Sequence, residues 1–484
     1  MNTIKDIINV NLNRDTLGNS IFKQIAESEK EFQFISKESK ESIKDYINSK
    51  VIDREKTKNV WKNLLMDSVA LLKINDSREK IYLDSKDNIE LLLENFHYIR
   101  KTNSYGIDEI ARYFDDFDVF ESVLYGLDRY YRDHINHVLQ VWAIGIGLIY
   151  HSTPKLNDGF EIDMNKDFHF EINEKENKEK TISVSELWAM WTVIALCHDL
   201  GYPIEKTSQI NKQAKKIISY FGNMQFTELD YSFSILNTFL VEKFLNIISS
   251  KVCEIPKYEK EKSENCSKKE FYTSIQTKYR DKLSKSLEDY KHGIFSSLLL
   301  FKNLTYFLET DYSVNSNSID DLDAKQFYIR KEILRSIAGH TCPKLYHKEL
   351  NTLSFLLILC DELQEWNRPN FDNYISNHKE SEIEIEIKEF ALEETQKIHI
   401  MMNYSKMNNI ESFEKFLVIN RFKNIHYLLR SAKKDTERKI IFQWEINFSD
   451  AKYYFCFDTS KDSFKMLSVT KNLEPLELYD EKYK

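Results

Sequence analysis

The chain is unusually poor in glycine and proline, the two residues that most often interrupt helices. Its 484 residues contain only 10 glycines and six prolines, where a typical soluble domain has about 12% of the two together. Because glycine weakens a helix and proline breaks it, long helices can run through most of this sequence. We therefore expect a mainly α fold, in which each glycine or proline indicates where a helix ends.

The spacing of apolar residues divides the chain into three parts. Residues 1–115 predict a helical N-terminal region, and residues 116–370 predict a more apolar central domain that is also helical. Residues 371–484 begin with the alternating sequence EIEIEIKEF, which is typical of a strand. We expect a smaller C-terminal α+β domain there.

Individual elements follow from the same patterns. Helices are predicted at Ile21–Phe34, Val60–Ile74, Asn88–Arg100, Ser122–Tyr150 (as one or two helices), Ser185–Leu200, 228–250, His292–Leu308, Lys325–Ala338, Leu350–Trp366 and Phe413–Ser431. Strands are predicted in the segment up to Phe390, at Ile440–Phe448 and at Tyr453–Asp458, and hydrophilic surface segments at Thr153–Lys180 and Lys257–Tyr290.

Charge and composition exclude several classes of function. The formal net charge is −9, so we expect no long nucleic acid as a partner. No signal peptide pattern and no apolar run of about 20 residues is visible, and we expect a cytoplasmic protein with no membrane partner. The six cysteines form no CxxC pair, which fits a reducing compartment. Phosphate-binding loops, a dinucleotide-binding GxGxxG and a GxSxG elbow are all missing from the sequence.

The strongest chemical signal is the sequence Cys197-His198-Asp199-Leu200-Gly201, which follows a buried apolar helix. Neighbouring residues on a helix lie about 100° apart and do not share a face. At a helix end before Gly201 and Pro203, however, the backbone turns and both side chains can reach one ion. A pair of this kind that only caps the helix is the alternative.

Further candidates surround this pair along the chain. His134 and His137 are three residues apart on a predicted helix, and Asp361 follows the apolar run FLLILC, where a carboxylate needs a partner to offset its desolvation. His292 and His340 stand beside Gly293 and Gly339. Glycine and proline residues lie within eight positions of these candidates at Gly201, Pro203, Gly293, Gly339, Pro343 and Pro369. This clustering indicates helix ends that converge on one centre.

The order H…HD…H…H…D resembles that of the HD-domain superfamily of metal-dependent phosphohydrolases, over roughly residues 117–370. The resemblance implies a helical core with the metal ligands His137, His198, Asp199, His292, His340 and Asp361. Because the two additional histidines occur in the binuclear branch, it implies two divalent metals bridged by Asp199. Imidazole and carboxylate ligands suit Mn, Fe, Co, Ni or Zn, with Mg possible. His134 is the alternative first ligand.

Catalytic and substrate-binding residues are expected around these ligands. Two metals activate a water and hold the phosphoryl oxygens, so His198 and Asp199 are expected to be catalytic. Arg132, Lys206 and Arg368 are candidate phosphate contacts, the first two also catalytic, and His134 and Tyr202 are candidate substrate contacts. The cyclic-dinucleotide branch usually has HD-x-G-K, where this chain has Tyr202, and the His-rich extension of the deoxynucleotide triphosphohydrolases is also missing.

The resulting expectation is a phosphohydrolase that cleaves a phosphomonoester or phosphodiester of a small nucleotide. Two alternatives share the same ligands. One is a di-iron oxygenase of the same superfamily, and the other is a non-catalytic, metal-bound sensor or interaction protein. The candidate protein partners are a second copy of the chain, as a homo-oligomer, and a regulatory protein bound through the C-terminal domain.

Overall fold

A computed structural model shows a mainly helical protein with a sheet near its C-terminus, so the expected fold class is confirmed. The structure describes residues 17–28, 32, 35–49, 53–76, 105–127, 133–152, 160–161, 181–222, 235–254, 270–308, 318–342, 344–345, 350, 352–364, 382–392, 395–405, 439–448, 451–459, 463–470 and 476–479.

The helices in chain order are α1 (Leu17–Glu27), α2 (Lys37–Ile47), α3 (Arg54–Asp76), α4 (Ile107–Leu127), α5 (Ile135–Ser152), α6 (Val184–Cys197), α7 (Tyr202–Ile218), α8 (Ile235–Ser249), α9 (Thr277–Glu288), α10 (His292–Asn303), α11 (Thr305–Leu308), α12 (Asp321–Gly339) and α13 (Leu353–Leu363). The strands are β1 (Phe160–Glu161), β2 (Thr181–Ile182), β3 (Ser250–Glu254), β4 (Phe271–Ile275), β5 (Glu382–Leu392), β6 (Thr395–Ser405), β7 (Lys439–Asn447), β8 (Ala451–Asp458), β9 (Ser463–Thr470) and β10 (Leu476–Tyr479).

Helix α6 lies at the centre of the helical part and is buried along almost its whole length. Its first turn is fixed by a capping box, in which Ser183 and Glu186 each accept a hydrogen bond from the other's backbone N–H. The helix therefore starts at Val184, one residue before the predicted Ser185. Its end at Cys197 agrees with the predicted turn before Gly201.

Helices α5 and α6 pack very closely. The Trp191 side chain occupies the space where Gly145 has no Cβ, and its indole N–H donates to the Trp142 carbonyl. From the N-terminal region, α3 packs on the other side of α6, where the Trp61 indole N–H donates to the Leu196 carbonyl over 2.8 Å. The helix that ends in the His-Asp pair is thus held rigidly from both sides.

A six-stranded sheet near the C-terminus has the order β10-β9-β8-β7-β6-β5. All its pairings are antiparallel except that of β6 with β7, which is parallel. The predicted strand EIEIEIKEF and the predicted pairing of Ile440–Phe448 with Tyr453–Asp458 are confirmed. The sheet contacts α13, with the Phe355 and Phe442 ring centroids 6.2 Å apart. It therefore supports the helix that carries Asp361.

Two predicted elements are wrong. The helix predicted at Ile21–Phe34 ends at Glu27, and Phe32, which the prediction placed in the helix, packs against Trp188 outside it. The segment predicted as a surface excursion at Lys257–Tyr290 includes β4, which pairs with β3, and helix α9. Leu283 of that helix is fully buried, and Tyr279 and Leu287 pack against the core beside it, among charged neighbours that conceal these contacts in the sequence.

The helices predicted at Asn88–Arg100 and Phe413–Ser431, and most of the segment Thr153–Lys180, lie outside the described residues. In the part of the chain that the structure describes, no helix has both the length and the apolar character needed to cross a bilayer.

Candidate metal centre

The His-Asp pair lies at the C-terminal end of α6, where His198 is the capping residue. The backbone continues in a turn from Cys197 to Gly201 instead of in a helix, so the two neighbouring side chains can converge. His198 Nε2 lies 3.3 Å from Asp199 Oδ2. Both residues are buried, as predicted from the position of the pair before Gly201.

Four other predicted ligands meet this pair, although they come from distant parts of the chain. His137 lies in the first turn of α5, and His292 is the first residue of α10. His340 follows the last residue of α12, and Asp361 lies near the end of α13. All six predicted metal ligands are therefore brought together, each at or near the end of a helix.

Asp199 separates the histidines into two groups. Its Oδ2 atom lies 3.3 Å from His198 Nε2 and 3.7 Å from His137 Nε2. On the other side, its Oδ1 atom lies 3.3 Å from His292 Nε2 and 3.7 Å from His340 Nε2. Each group, with Asp199 as its shared member, has the spacing of a metal site.

Asp361 joins the first group, since its Oδ1 atom lies 2.9 Å from His137 Nε2. The structure thus places His137 in the centre, whereas His134 faces Glu121. The sequence left open which of these two histidines is the first ligand, and the geometry favours His137.

Each of the four histidines has its Nδ1 atom held by a group outside the centre. Nδ1 of His198 donates to the Ala195 carbonyl over 2.8 Å, and Nδ1 of His340 donates to the Ile337 carbonyl over 2.7 Å. The remaining two Nδ1 atoms face side-chain oxygens, those of Gln364 for His137 and Glu205 for His292. Acceptors at Nδ1 keep a proton there, so in the neutral form of each imidazole the Nε2 lone pair is directed into the centre. Outer partners of this kind orient histidines in metal sites.

The charged groups of the centre favour ionised carboxylates. Burial opposes ionisation of Asp199, but the charge of His198 and hydrogen bonds from the surrounding histidines hold the pKa of Asp199 well below its usual range. Burial likewise opposes a charge on His292, yet hydrogen bonds to Asp199 and Glu205 raise the pKa of His292 to about 9. The centre therefore has a negative potential that stabilises positive charge.

A cation fits this arrangement of atoms. His198 Nε2 is fully buried and has no hydrogen-bond partner, and the Nε2 atoms of His292 and His340 lie only 3.2 Å apart. A proton on His292 Nε2 lets that nitrogen donate to His340 Nε2, whereas the buried His198 Nε2, which has no such partner, is costly. A metal ion would satisfy all three nitrogens, with neutral histidine ligands and ionised carboxylates.

Comparison with protein-family models, with curated proteins and with solved structures finds no match for this chain. The features of this chain that indicate a function are therefore the geometry of its metal centre and the motifs in its sequence.

Three of the predicted substrate-binding residues lie at one side of the centre. The Tyr202 ring lies between two histidines, with centroid distances of 4.1 Å to His134 and 4.8 Å to His292. Lys206 Nζ lies 5.3 Å from the centre of the Tyr202 ring. Glu121 Oε1 accepts a hydrogen bond from the backbone N–H of His134. Arg132 and Arg368, the other two candidates, lie outside the described residues.

Two residues of the centre were missed in the sequence. Glu205 accepts hydrogen bonds from both the backbone N–H and Nδ1 of His292. Burial raises the pKa of Glu205, but the bonds from His292 outweigh burial and lower this pKa to about 2. Gln364 caps α13 and is fully buried against His137. A signal existed for Gln364, which is three residues after Asp361 and so lies on the same side of the helix. No local pattern pairs Glu205 with His292, 87 positions later.

Proposed function

We propose that this chain is a metal-dependent phosphohydrolase that cleaves a phosphate ester of a small nucleotide and that resembles the HD-domain superfamily. The observation that carries the proposal is the position of Asp199 between two groups of inward-facing histidine nitrogens. A carboxylate with one oxygen toward each group is suited to bridge two ions. The sequence order of the ligands supports the same assignment.

His137, His198, Asp199 and Asp361 would hold one ion, and Asp199, His292 and His340 would hold the other. Their mixture of imidazole and carboxylate donors suits Mn, Fe, Co, Ni or Zn, with Mg possible. Two such ions, when bound, lower the pKa of a bridging water and neutralise charge on the phosphoryl oxygens.

The side of the centre formed by Tyr202, Lys206 and His134 is proposed to bind the substrate. Lys206 supplies positive charge at the edge of the centre, as a phosphate group requires. The aromatic ring of Tyr202 provides a surface on which a base or sugar can pack. Glu121, buried beside His134, accepts a hydrogen bond from the backbone N–H of His134 and lies 3.3 Å from its Nδ1 atom.

The test is metal content together with phosphate release. The purified protein, prepared with Mn or Fe present, would be compared with Asp199→Asn and with Asp116→Asn, which removes an exposed carboxylate on α4. We expect about two metal ions per chain and hydrolysis of at least one member of a nucleotide panel, both lost in Asp199→Asn and both retained in Asp116→Asn.

Three other results would contradict the proposal. Bound metal without turnover of any phosphate ester would favour the metal-bound sensor. Bound iron with consumption of oxygen would favour the di-iron oxygenase. Absence of metal from protein prepared with Mn or Fe would remove the metal centre itself.

A further inference from the structure

Helix α7, which begins directly after the His-Asp turn, has no buried residue. Its first half packs against α10 and α4, while almost all side chains from Lys212 to Gly222 are exposed or nearly so. A helix of this length extends about 25 Å, so its far end stands away from the helical core.

The charge of this helix differs from that of the rest of the molecule. From residue 206 to residue 222 the sequence has four lysines and no acidic residue, in a chain whose net charge is −9. Lys212, Lys215 and Lys216 lie on one side of the helix, at about 100° per residue. This segment is therefore a local positive patch on an acidic protein.

The opposite side of α7 is apolar. Ile210, Ala214 and Ile217 follow one another at spacings of four and three residues, which places them in one stripe, and Tyr220 and Phe221 come directly after α7 in the 3₁₀ turn Ser219–Phe221. Within the fold this stripe and the turn after it have little cover, since the side chains of Ile217 and Phe221 are 60% and 69% exposed. Tyr220, next to the stripe, is 80% exposed.

We propose that the end of α7 binds the surface of an anionic lipid membrane. A basic amphipathic helix with aromatic residues at its end is suited to the boundary between headgroups and acyl chains. The lysines would face lipid phosphates and carboxylates, while Ile217 and Phe221 enter the apolar layer and Tyr220 stays at the headgroup level. An acidic polypeptide would satisfy the lysines but would offer no apolar layer to Phe221.

Surface binding of this kind needs no membrane-spanning segment. The expectation from the sequence that no membrane is a partner depended on the lack of a long apolar run, which does not apply to a helix that lies at the surface. The proposal is also independent of the chemistry of the metal centre.

The test is sedimentation of the full-length protein with vesicles of phosphatidylcholine alone and of phosphatidylcholine mixed with phosphatidylserine. We expect binding to the mixed vesicles only, and weaker binding as salt is raised. Lys212→Glu combined with Lys216→Glu should weaken binding by about tenfold or more. Tyr220→Ser combined with Phe221→Ser should weaken it by a similar factor, whereas Phe221→Trp should bind at least as tightly as the wild type.

Matched controls change the same residue types elsewhere on the surface. Val119→Ser and Val123→Ser remove exposed apolar side chains from α4, and Lys302→Glu reverses an exposed charge on α10. All three should bind the mixed vesicles as the wild type does. Equal binding of wild type and the α7 variants, or no preference for phosphatidylserine, would overturn the proposal. Binding to polyglutamate that survives Tyr220→Ser with Phe221→Ser, without binding to vesicles, would overturn it in favour of an acidic protein partner.

Discussion

The four histidines of the centre use their two ring nitrogens for different purposes. Each Nδ1 atom is held by an oxygen of the surrounding structure, and each Nε2 atom faces Asp199 or Asp361. At the scale of single residues, the orientation of the centre therefore depends on groups that would not touch a metal themselves, above all Glu205 and Gln364.

Substitution of Glu205 by Gln tests this dependence. The glutamine can still contact His292, but it removes the negative charge that accepts both the backbone N–H and Nδ1. We expect Mn affinity, measured by calorimetric titration, to fall about 10- to 100-fold. Glu288→Gln, which changes an exposed glutamate paired with Lys285, should leave the affinity unchanged, and equal affinities in the two variants would contradict the role of Glu205.

Asp133 predicts a pH dependence of stability that is separate from the metal ligands. Burial, together with the nearby charge of Glu121, raises the pKa of Asp133 from 3.8 to about 6, although Arg54 opposes the shift. The folded protein thus keeps a proton that the unfolded chain has lost. This contribution to stability is fully present below pH 3.8 and is lost as the pH rises through about 6.

The measurement compares wild type with Asp133→Asn, which has no titrating group at this position. The free energy of unfolding of the wild type, relative to that of the variant, should be greater at about pH 5 than at about pH 7.5, by about 1 kcal/mol. Urea unfolding of both metal-free proteins at the two pH values gives this difference. A difference that is constant with pH, or that grows as the pH rises, would contradict the buried state of Asp133.

At the scale of elements, the centre depends on helix ends that approach one another closely. A Cβ atom at Gly201 would lie 2.2 Å from the His292 carbonyl oxygen and 2.7 Å from the Ser296 amide nitrogen. The turn after α6 and the start of α10 can therefore meet only if this residue has no side chain. Because Gly201 is two residues after Asp199 and lies against His292, this contact fixes the distance between these two proposed ligands.

Gly201→Ala should consequently destabilise the protein by about 2–4 kcal/mol and weaken metal binding, because the start of α10 has to move. Gly222→Ala is the control. Gly222 has a φ of +78° and a ψ of −125°, with nothing within 4 Å of an added Cβ, so its cost is about 1–3 kcal/mol of backbone strain alone and metal binding should stay unchanged. Thermal unfolding and Mn titration of both variants provide the comparison, and similar losses of Mn affinity in the two would show that the close approach at Gly201 does not matter.

At the scale of the whole molecule, the proposed ligands belong to five separate helices. They lie on α5, at the end of α6, on α10, after α12 and on α13. Because the unfolded chain holds these side chains far apart, it cannot offer the same site. Metal binding is therefore expected to be coupled to the stability of the entire helical part.

Addition of Mn to metal-free protein should raise the free energy of unfolding by about 2.7 kcal/mol for each ion bound when free metal is 100-fold above the dissociation constant. Chelation should reverse this gain. His340→Ala, which removes one histidine of the second group, should gain less than the wild type from the same metal concentration. Stability that does not respond to metal in the wild type would contradict a centre shared among these helices.

Much of the local structure was predictable because it depends on neighbours in sequence. The apolar run before Cys197 predicted a buried helix, and Gly201 and Pro203 predicted its end at the His-Asp pair. The alternation in EIEIEIKEF predicted β5. The prediction of a helix at Ile21–Phe34 was wrong at Phe32, which contacts Trp188, a residue that is distant in the sequence.

The sequence by itself determined that the chain is mainly helical, where the strands β5, β7 and β8 lie, and which histidines and aspartates are candidates for one centre. Only the tertiary structure placed His137 rather than His134 beside Asp361, 224 positions away, and gave His292 its partner Glu205. It alone left the end of α7 exposed. The physical reason is that apolar periodicity reports which face of an element is buried, whereas the approach of two side chains depends on how separate helices pack.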